Sequence, residues 1–240
     1  MIPAGAALRV VGDVHGDAAA LERALATERF VIQLGDLVDC GPDSAGAARL
    51  MARAVAEGRG LFLMGNHDHK LARALAGRAV RADAALAATL AALDGTGRAA
   101  VLGLCAAAPY WVRDGARFFV HGGFHTSMLS MPSPRGVVRA EGAVARALYG
   151  EPTGRTQADG YPERSLAWVE RIPPGLTVFC GHDRRSVDGR PATRRNARGG
   201  TAVFLDTGAG KGGHLSWLDL PGAAEPLRAR TFTHGPVVPC

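Results

Sequence analysis

Six side chains that can ligate a metal ion follow short apolar runs of the chain. They are two carboxylates, one amide and three imidazoles: Asp13, Asp36, Asn66, His15, His121 and His182. Oxygen and imidazole donors without cysteine favour Mn²⁺, Fe or Zn²⁺ over a thiolate cluster. Six donors exceed the needs of one open catalytic site, and a carboxylate such as Asp36 can bridge two ions about 3.5 to 4 Å apart. The residue types therefore predict a centre of two divalent metal ions.

A two-metal centre of this kind suits the hydrolysis of phosphate esters. Two ions lower the pKa of a bridging water, which gives hydroxide near neutral pH, and they neutralise the non-bridging phosphate oxygens as the transition state forms. The predicted activity is therefore phosphoester hydrolysis with a metal-bridged hydroxide as the nucleophile.

The residues of this centre lie at the ends of predicted strands. Short apolar runs lead into glycine or a turn and then into Asp, Asn or His, at 8–11, 30–34, 61–64, 118–120, 176–180 and 202–205. Helical patterns at 18–26 and 45–56 separate the first three runs, which is typical of βαβ units. In open α/β sheets the site lies beyond the carboxyl ends of the strands, so these polar residues are expected to converge there.

Three motifs stand at these strand ends: Gly-Asp-Val-His-Gly at 12–16, Gly-Asp-Leu-Val-Asp at 35–39 and Gly-Asn-His-Asp at 65–68. In this order they resemble the motifs of the calcineurin-like metallophosphoesterases. Three more, His-Gly-Gly at 121–123, Gly-His at 181–182 and Asp-Thr-Gly at 206–208, extend the resemblance from residue 8 to about residue 220.

Within that superfamily the chain is similar to the phosphoprotein-phosphatase branch. The segments 35–44 and 65–77 resemble most the phosphatase module of bacterial polynucleotide kinase-phosphatase, and the chain is also similar to diadenosine tetraphosphatases. The resemblance implies an α/β fold, the four-layer αββα sandwich with two mixed β-sheets.

The resemblance also implies a role for each metal ligand. Asp13 and His15 hold the first ion, Asp36 bridges the two ions, and Asn66, His121 and His182 hold the second. Mn²⁺ is the expected metal, with Fe, Zn²⁺ or Ni²⁺ as alternatives.

His67 is the general acid that the same resemblance implies. It protonates the leaving-group oxygen, and Asp39 orients and charges its imidazole, which fits a histidine that works near neutral pH. Asp206 is expected to support the site from behind the ligands.

The chain departs from many similar proteins at Cys40, where they have arginine in an Asp-Arg-Gly-Pro sequence. A thiol cannot supply the bidentate guanidinium that clamps phosphate. Arg184, Arg185 and His125 are the candidates that replace it. Cys40 itself is expected to be a turn residue rather than a nucleophile, because metal hydroxide already supplies the nucleophile.

The composition is that of a soluble globular protein. The chain has 240 residues, 47% of them hydrophobic and 21% charged, which excludes disordered, collagen-like and coiled-coil classes. One domain over residues 1–240 is expected, with its core at about 8–220 and a C-terminal tail at 221–240. The longest run without Asp, Glu, Lys or Arg, 118–134, is broken by His, Gly, Ser and Pro, so no membrane span is expected.

Two features predict a cytoplasmic location. The first ten residues lack the basic region, apolar core and cleavage site of a secretory signal. The four cysteines are widely spaced and form no C-x-x-C pair, which predicts reduced thiols.

The positive charge of the chain is carried almost entirely by arginine. The net charge is +6, from 28 basic and 22 acidic residues, and only Lys70 and Lys211 are lysines. Arginine suits anionic partners because its planar fork binds phosphate through two hydrogen bonds, although coding bias explains the abundance equally well. The segment 184–198 holds six arginines and no aromatic residue, which favours a solvated basic loop over an RNA track. The Gly-Ala-Gly-Lys sequence at 208–211 lacks the Ser or Thr of a P-loop.

The residues leave the choice of substrate open, because one core serves several phosphate esters. Nucleotide or RNA-end phosphates (2′,3′-cyclic or 2′-phosphate) are predicted, with a separate kinase or RNA-repair protein as a candidate partner. The alternatives are a serine/threonine protein phosphatase, a dinucleoside tetraphosphatase, and a non-catalytic metal-binding interaction module. The intact ligand set and His67 argue against the non-catalytic module.

A long loop at 149–165 is expected to shape substrate access. The oligomeric state stays open.

Overall fold

The computed structural model describes residues 1–157, 162–186 and 188–222. Within these ranges the strands are β1 (Leu8–Val11), β2 (Phe30–Gln33), β3 (Gly60–Phe62), β4 (Trp111–Asp114), β5 (Arg117–Val120), β6 (Glu151–Thr156), β7 (Pro162–Ser165), β8 (Thr177–Cys180), β9 (Ala192–Arg195), β10 (Thr201–Phe204), β11 (Asp206–Thr207), β12 (His214–Leu215) and β13 (Trp217–Leu220). The α-helices are α1 (Ala18–Leu25), α2 (Ser44–Ala56), α3 (Asn66–Leu75), α4 (Ala84–Ala92), α5 (Gly95–Ala107) and α6 (Gly142–Tyr149), and short 3-10 turns lie at Thr126–Leu129 and Val169–Arg171.

The structure contains a four-stranded and a five-stranded mixed sheet. In the first, of order β13-β1-β2-β3, the strands β1 to β3 are parallel and β13 is antiparallel to β1. In the second, of order β4-β5-β8-β10-β9, the central strands β5, β8 and β10 are parallel and both edge strands are antiparallel. The structure therefore has the α/β fold with mixed sheets that the resemblance implies, and the parallel strands of each sheet end on one edge.

A layer of apolar side chains lies between the two sheets. Alternate residues of a strand point to opposite faces, and the first sheet contributes Leu8, Val10, Phe30, Ile32, Leu218 and Leu220 to this layer. The second sheet contributes Phe119, Phe179 and Val203. The rings of Phe119 and Phe179 stack with centroids 5.3 Å apart. This packing holds the two sheets face to face.

Helices cover the outer faces, and side-chain caps fix where they begin. Asp17 caps α1 by accepting a hydrogen bond from the amide of Ala20 (2.9 Å). Asp43 caps α2 in the same way from the amide of Gly46 (2.6 Å). Such caps satisfy amides that have no partner within the helix. They therefore fix the residue at which each helix begins after the turn at the end of the preceding strand.

The prediction of a long loop at 149–165 is wrong. The chain forms a hairpin there, in which β6 and β7 pair antiparallel with Glu151 opposite Ser165 and Pro152 opposite Arg164. Nearly all described residues of β6 are exposed, so the segment shows no alternation of apolar and polar residues by which a strand is recognised. Residues 158–161 of the segment lie outside the described residues.

The described cysteines Cys40, Cys105 and Cys180 are free thiols, as predicted, whereas Cys240 lies outside the described residues. The predicted tail at 221–240 lies outside them from residue 223 onward. Among the described residues no single helix has the length and composition to cross a bilayer; the one helix pair that passes this test together, α4 with α5, is bent by 119°.

Candidate active site

The predicted site residues lie where strands of both sheets end. From the first sheet come Asp13 and His15 after β1, Asp36 and Asp39 after β2, and Asn66 and His67 after β3. From the second come His121 after β5, His182 after β8 and Asp206 after β10. Most of these side chains are buried, although most of the residues lie in turns that follow the strands.

The backbone at these turns is left-handed. Among the described residues, the non-glycine residues with positive φ are His15 (48°), Asp36 (51°), Asp39 (71°), Cys40 (69°) and His182 (62°). This conformation is unfavourable for residues with a Cβ, and it persists where the surrounding structure imposes it, often at functional sites. Four of the five are predicted site residues, so the turns aim these side chains at the expense of local strain.

Glycines let the turns approach one another closely. A Cβ on Gly65 would lie 2.0 Å from the amide nitrogen of Asp36, and a Cβ on Gly181 would lie 2.0 Å from Oδ1 of Asp13. Any larger residue at either position would push the turns apart. These two motif glycines are therefore required by the spacing of the site.

The donor atoms form two groups that share one carboxylate. The ligand atoms of His15, Asp36 and His67 lie within 4.8 Å of one another, and so do those of Asp36, His121 and His182. Oδ2 of Asp13 lies 3.9 Å from Nε2 of His15. Oδ1 of Asn66 lies 3.0 Å from Nε2 of His121. Asp36 thus occupies the position that a bridging ligand needs, between the two groups.

Two histidines are oriented by backbone carbonyls. Nδ1 of His15 lies 3.3 Å from the carbonyl oxygen of Val38, and Nδ1 of His121 lies 3.1 Å from that of Leu34. Such a bond places the proton of His15 on Nδ1 and leaves its Nε2 free to ligate, whereas Nε2 of His121 lies 3.0 Å from Oδ1 of Asn66. Nε2 of His15 is buried and has no hydrogen-bond partner. An orphaned imidazole nitrogen beside carboxylates fits a divalent metal ion, and so does the donor set as a whole.

The charges of the cluster also fit cations. Burial raises the pKa of Asp13 well above its ordinary value, and Asp206 adds to this effect. Burial acts in the same direction on Asp36, but the fields of His121 and His67 outweigh it and hold the pKa of Asp36 well below its ordinary value. Burial lowers the pKa of His15 to about 3, so this imidazole is neutral and has a free lone pair. Buried carboxylates beside a neutral imidazole are stabilised by a bound cation.

His67 and Asp39 form a hydrogen-bonded pair at the edge of the cluster. Nδ1 of His67 lies 2.7 Å from Oδ2 of the buried Asp39. Burial opposes the charged imidazole, but Asp36 and Asp39 outweigh it and raise the pKa of His67. The amide of His67, in the first turn of α3, donates to Oδ1 of Asp36 (2.9 Å). The pair can therefore hold a proton beside the shared carboxylate, which is the requirement for a general acid.

Three buried polar side chains brace the turns, and the sequence analysis singled out only Asp206. Its Oδ1 accepts from the amide of Gly208 (2.9 Å). Asp68 accepts from the amides of Leu37 (3.0 Å) and Gly65 (3.1 Å). Gln33 donates to the carbonyls of Gly12 (3.1 Å) and Gly35 (2.7 Å). A polar residue inside an apolar run, as at Gln33, was the available signal for such a brace.

The predicted phosphate contacts have different surroundings. Arg185 is paired with Asp183, with Nε 2.9 Å from Oδ2. The side chain of His125 accepts from the amide of Ser127 (3.2 Å) and caps a 3-10 turn. Arg184 is exposed, and its guanidinium lies 3.2 Å from the point that a Cβ on Gly208 would take. Of the three, Arg184 lies beside the turn that carries Asp206.

Two other cations lie at the site, and neither was predicted from the sequence. The half-buried Arg164, on the β6–β7 hairpin, lies with Nη2 3.1 Å from Nε2 of His182. Desolvation lowers the pKa of Lys211, but the fields of Asp36 and Asp206 outweigh it and raise that pKa. Arg164 stood in the predicted loop, and Lys211 in the rejected P-loop sequence, so no motif distinguished either from other surface cations.

Comparisons with known proteins agree with these motifs. The family model of calcineurin-like phosphoesterases matches residues 8–186. The chain is 28% identical to a symmetrical bis(5′-nucleosyl)-tetraphosphatase of Ralstonia nicotianae, covering 88% of this chain and 73% of that protein. It is 27% identical to the asymmetrical bis(5′-nucleosyl)-tetraphosphatase PrpE of Bacillus velezensis, covering 88% of each.

A solved structure of a candidate diadenosine tetraphosphatase has the same fold. It superposes with a TM-score of 0.62 at 20% identity, over 94% of this chain and 97% of that chain. The similarity to diadenosine tetraphosphatases is thus confirmed, and the similarity to the kinase-phosphatase module stays a prediction. Because the family model covers more than half of the chain and its motifs carry the clustered residues, the chain belongs to the calcineurin-like phosphoesterases and is a phosphoric ester hydrolase.

Proposed function

We propose that this chain hydrolyses nucleotide phosphates and that dinucleoside tetraphosphates are its main substrate class. The 2.7 Å His67–Asp39 pair beside two donor groups that share Asp36 carries the proposal. Hydrolysis of phosphate esters and anhydrides uses bound cations, and esters with a basic leaving oxygen also need an acid that protonates it; this arrangement supplies both. The tetraphosphatases of Ralstonia nicotianae and Bacillus velezensis support the nucleotide part.

Two divalent ions, which we take to be Mn²⁺, fit the donors as the motifs assign them. Asp13 and His15 would hold one ion, Asn66, His121 and His182 would hold the other, and Asp36, which belongs to both groups of donor atoms, would serve both. When bound, the ions supply Lewis-acid activation of water and phosphate. His67 holds a proton that Asp39 stabilises, and delivers it to the leaving oxygen.

Arg164 and Lys211 are the cations that we assign to the phosphate oxygens. Nη2 of Arg164 lies 3.1 Å from Nε2 of His182, so the guanidinium stands beside a predicted metal ligand, where it could bind a phosphate held at the site. Lys211 reaches the site beside Cys40. Built Cβ atoms on Gly41 and on Gly210 would each lie 2.3 Å from the carbonyl oxygen of His15, so the two turns meet there.

Replacing Lys211 by Ala is expected to raise KM for phosphate esters about 10-fold, because a charge-assisted hydrogen bond to the phosphate is lost. Adding Cys40→Arg to that variant should recover much of the loss, since the two turns meet at His15. Steady-state kinetics of the single and double variants measure both effects. Lys211→Arg is the matched control, and an unchanged KM in Lys211→Ala would remove this residue from the phosphate site.

A mixture of substrates tests the proposed function directly. The Mn²⁺-loaded protein is given diadenosine tetraphosphate, 2′,3′-cyclic AMP, 2′-AMP and a phosphothreonine peptide, and the products are separated by chromatography. Preferential loss of the tetraphosphate, absent in Asp36→Asn, is expected. Preference for the cyclic or 2′-phosphate would instead support the RNA-end prediction. Preference for the peptide would support a protein phosphatase, and no turnover despite bound metal would support the non-catalytic alternative. A single domain over 1–240, a kinase or RNA-repair partner and the cytoplasmic location stay predictions.

A further inference from the structure

An aromatic side chain stands exposed at the mouth of the site. Tyr149, the last residue of α6, is 38% exposed. Among the described residues it is the one aromatic member of the exposed large apolar side chains, the others being Met1, Leu102 and Met131. A single exposed apolar residue is ordinary on a protein surface, so the position of Tyr149 decides what it means.

A site motif holds Tyr149 in place. The amide of Gly122, which follows the predicted ligand His121, donates to the carbonyl oxygen of Ala147 (2.5 Å). A Cβ on Gly122 would lie 2.9 Å from the amide nitrogen of Tyr149. The end of α6 therefore packs on the motif backbone at a distance that only glycine permits. The position of the Tyr149 ring is tied to that of the metal ligands.

The surroundings of Tyr149 combine an aromatic face with a cation. Its ring centroid lies 6.5 Å from that of His182, at an interplanar angle of 74°. The next residue, Gly150, lies against the hairpin, because a Cβ there would be 3.7 Å from Cδ of Arg164. The guanidinium of Arg164 in turn contacts His182. A phosphate at His182 would have a guanidinium and an exposed phenol ring beside it.

We infer that Tyr149 is a stacking surface for the nucleobase of the substrate. An exposed ring next to a phosphate-binding cation matches the two parts of a nucleotide, since aromatic faces stack on bases and arginine binds phosphate. Because the ring lies within 6.5 Å of His182, the stacked base belongs to the nucleoside attached directly to the bound phosphate. The inference rests on the proposed function and narrows it: a nucleoside next to the reacting phosphate is recognised, and a serine or threonine side chain is not.

Binding of two ligands that differ only in the base tests this role. Titration calorimetry measures the affinity of the Mn²⁺-loaded protein for AMP and for ribose 5-phosphate. Tyr149→Leu, which keeps an apolar side chain but no π face, is expected to weaken AMP binding about 10-fold, in line with the loss of one base stack. Ribose 5-phosphate should bind within about 2-fold of wild type, and Tyr149→Phe should bind AMP as wild type does, because the ring is kept.

Other outcomes overturn the inference. Equal losses for both ligands would mean that Tyr149 acts on the phosphate or on the fold, and a loss in Tyr149→Phe would assign the effect to the hydroxyl. Unchanged AMP binding in Tyr149→Leu would leave the ring without a role in recognition. Failure to hydrolyse a tetraphosphate would overturn the proposed function, whereas the comparison of AMP with ribose 5-phosphate concerns the base alone.

Discussion

Asp36→Asn is expected to remove bound metal and activity together, with turnover falling by at least about 10²-fold. Asp36 is the carboxylate common to both donor groups. Its Oδ2 lies 3.7 Å from Nε2 of His15 and its Oδ1 lies 3.4 Å from Nε2 of His121. Asparagine keeps the size and one oxygen, so the hydrogen bond from the His67 amide survives, but the negative charge that a shared ligand contributes is lost. Metal content by mass spectrometry after gel filtration and turnover of the same sample measure both effects.

Asp94→Asn is the matched control for this substitution. Asp94 caps α5 away from the site and is largely exposed, and asparagine caps a helix as well as aspartate does. The control should keep wild-type metal content and turnover. Two ions retained by Asp36→Asn would show that Asp36 is not the shared ligand.

His67→Ala is expected to keep its metal and to lose about 10²-fold or more in turnover on esters with poor leaving groups. The effect should be much smaller with p-nitrophenyl phosphate, because a nitrophenolate leaves without being protonated. The loss with poor leaving groups is expected because the 2.7 Å contact with Asp39 keeps a proton on the His67 imidazole, beside the shared carboxylate. A comparison of kcat for alkyl and nitrophenyl phosphates measures the difference.

Metal content distinguishes two roles for His67. Its ligand atom also lies within 4.8 Å of those of His15 and Asp36, so loss of one ion in His67→Ala would make it a ligand rather than the acid. Asp39→Asn is the companion variant, because it keeps the hydrogen bond and removes the charge that stabilises the imidazolium. It should show a smaller loss with the same dependence on the leaving group. Full turnover of poor leaving groups in His67→Ala would exclude the general-acid role.

The clustering of the predicted metal ligands followed from the sequence because each of these residues follows its strand by only a few residues. A turn after a parallel strand carries its polar residues to the same sheet edge whatever the remainder of the chain does. Asp36 and His182 illustrate this, since the left-handed turn that aims each side chain is local and is marked by a neighbouring glycine. The predicted general acid His67 opens a helix directly after β3, for the same local reason.

The surroundings of the candidate phosphate-binding arginines were not predictable in this way. Arg184, Arg185 and Arg164 are chemically equivalent in a sequence rich in arginine. Their surroundings separate them: Arg185 is paired with Asp183, whereas Arg164 reaches His182 from a hairpin that shows no strand pattern. The partner of a charged side chain depends on contacts between distant segments, which a local pattern does not contain.

The sequence by itself determined the fold class, the donor types and the edge of the sheets where they meet, because alternation, turn glycines and residue chemistry are local properties. Only the tertiary structure decided that Asp36 lies within both donor groups, that the turns carrying Cys40 and Lys211 meet at the carbonyl oxygen of His15, and that Tyr149 stands beside His182. Those relations arise where segments far apart in the chain pack against one another, and glycines without a Cβ set how closely they approach.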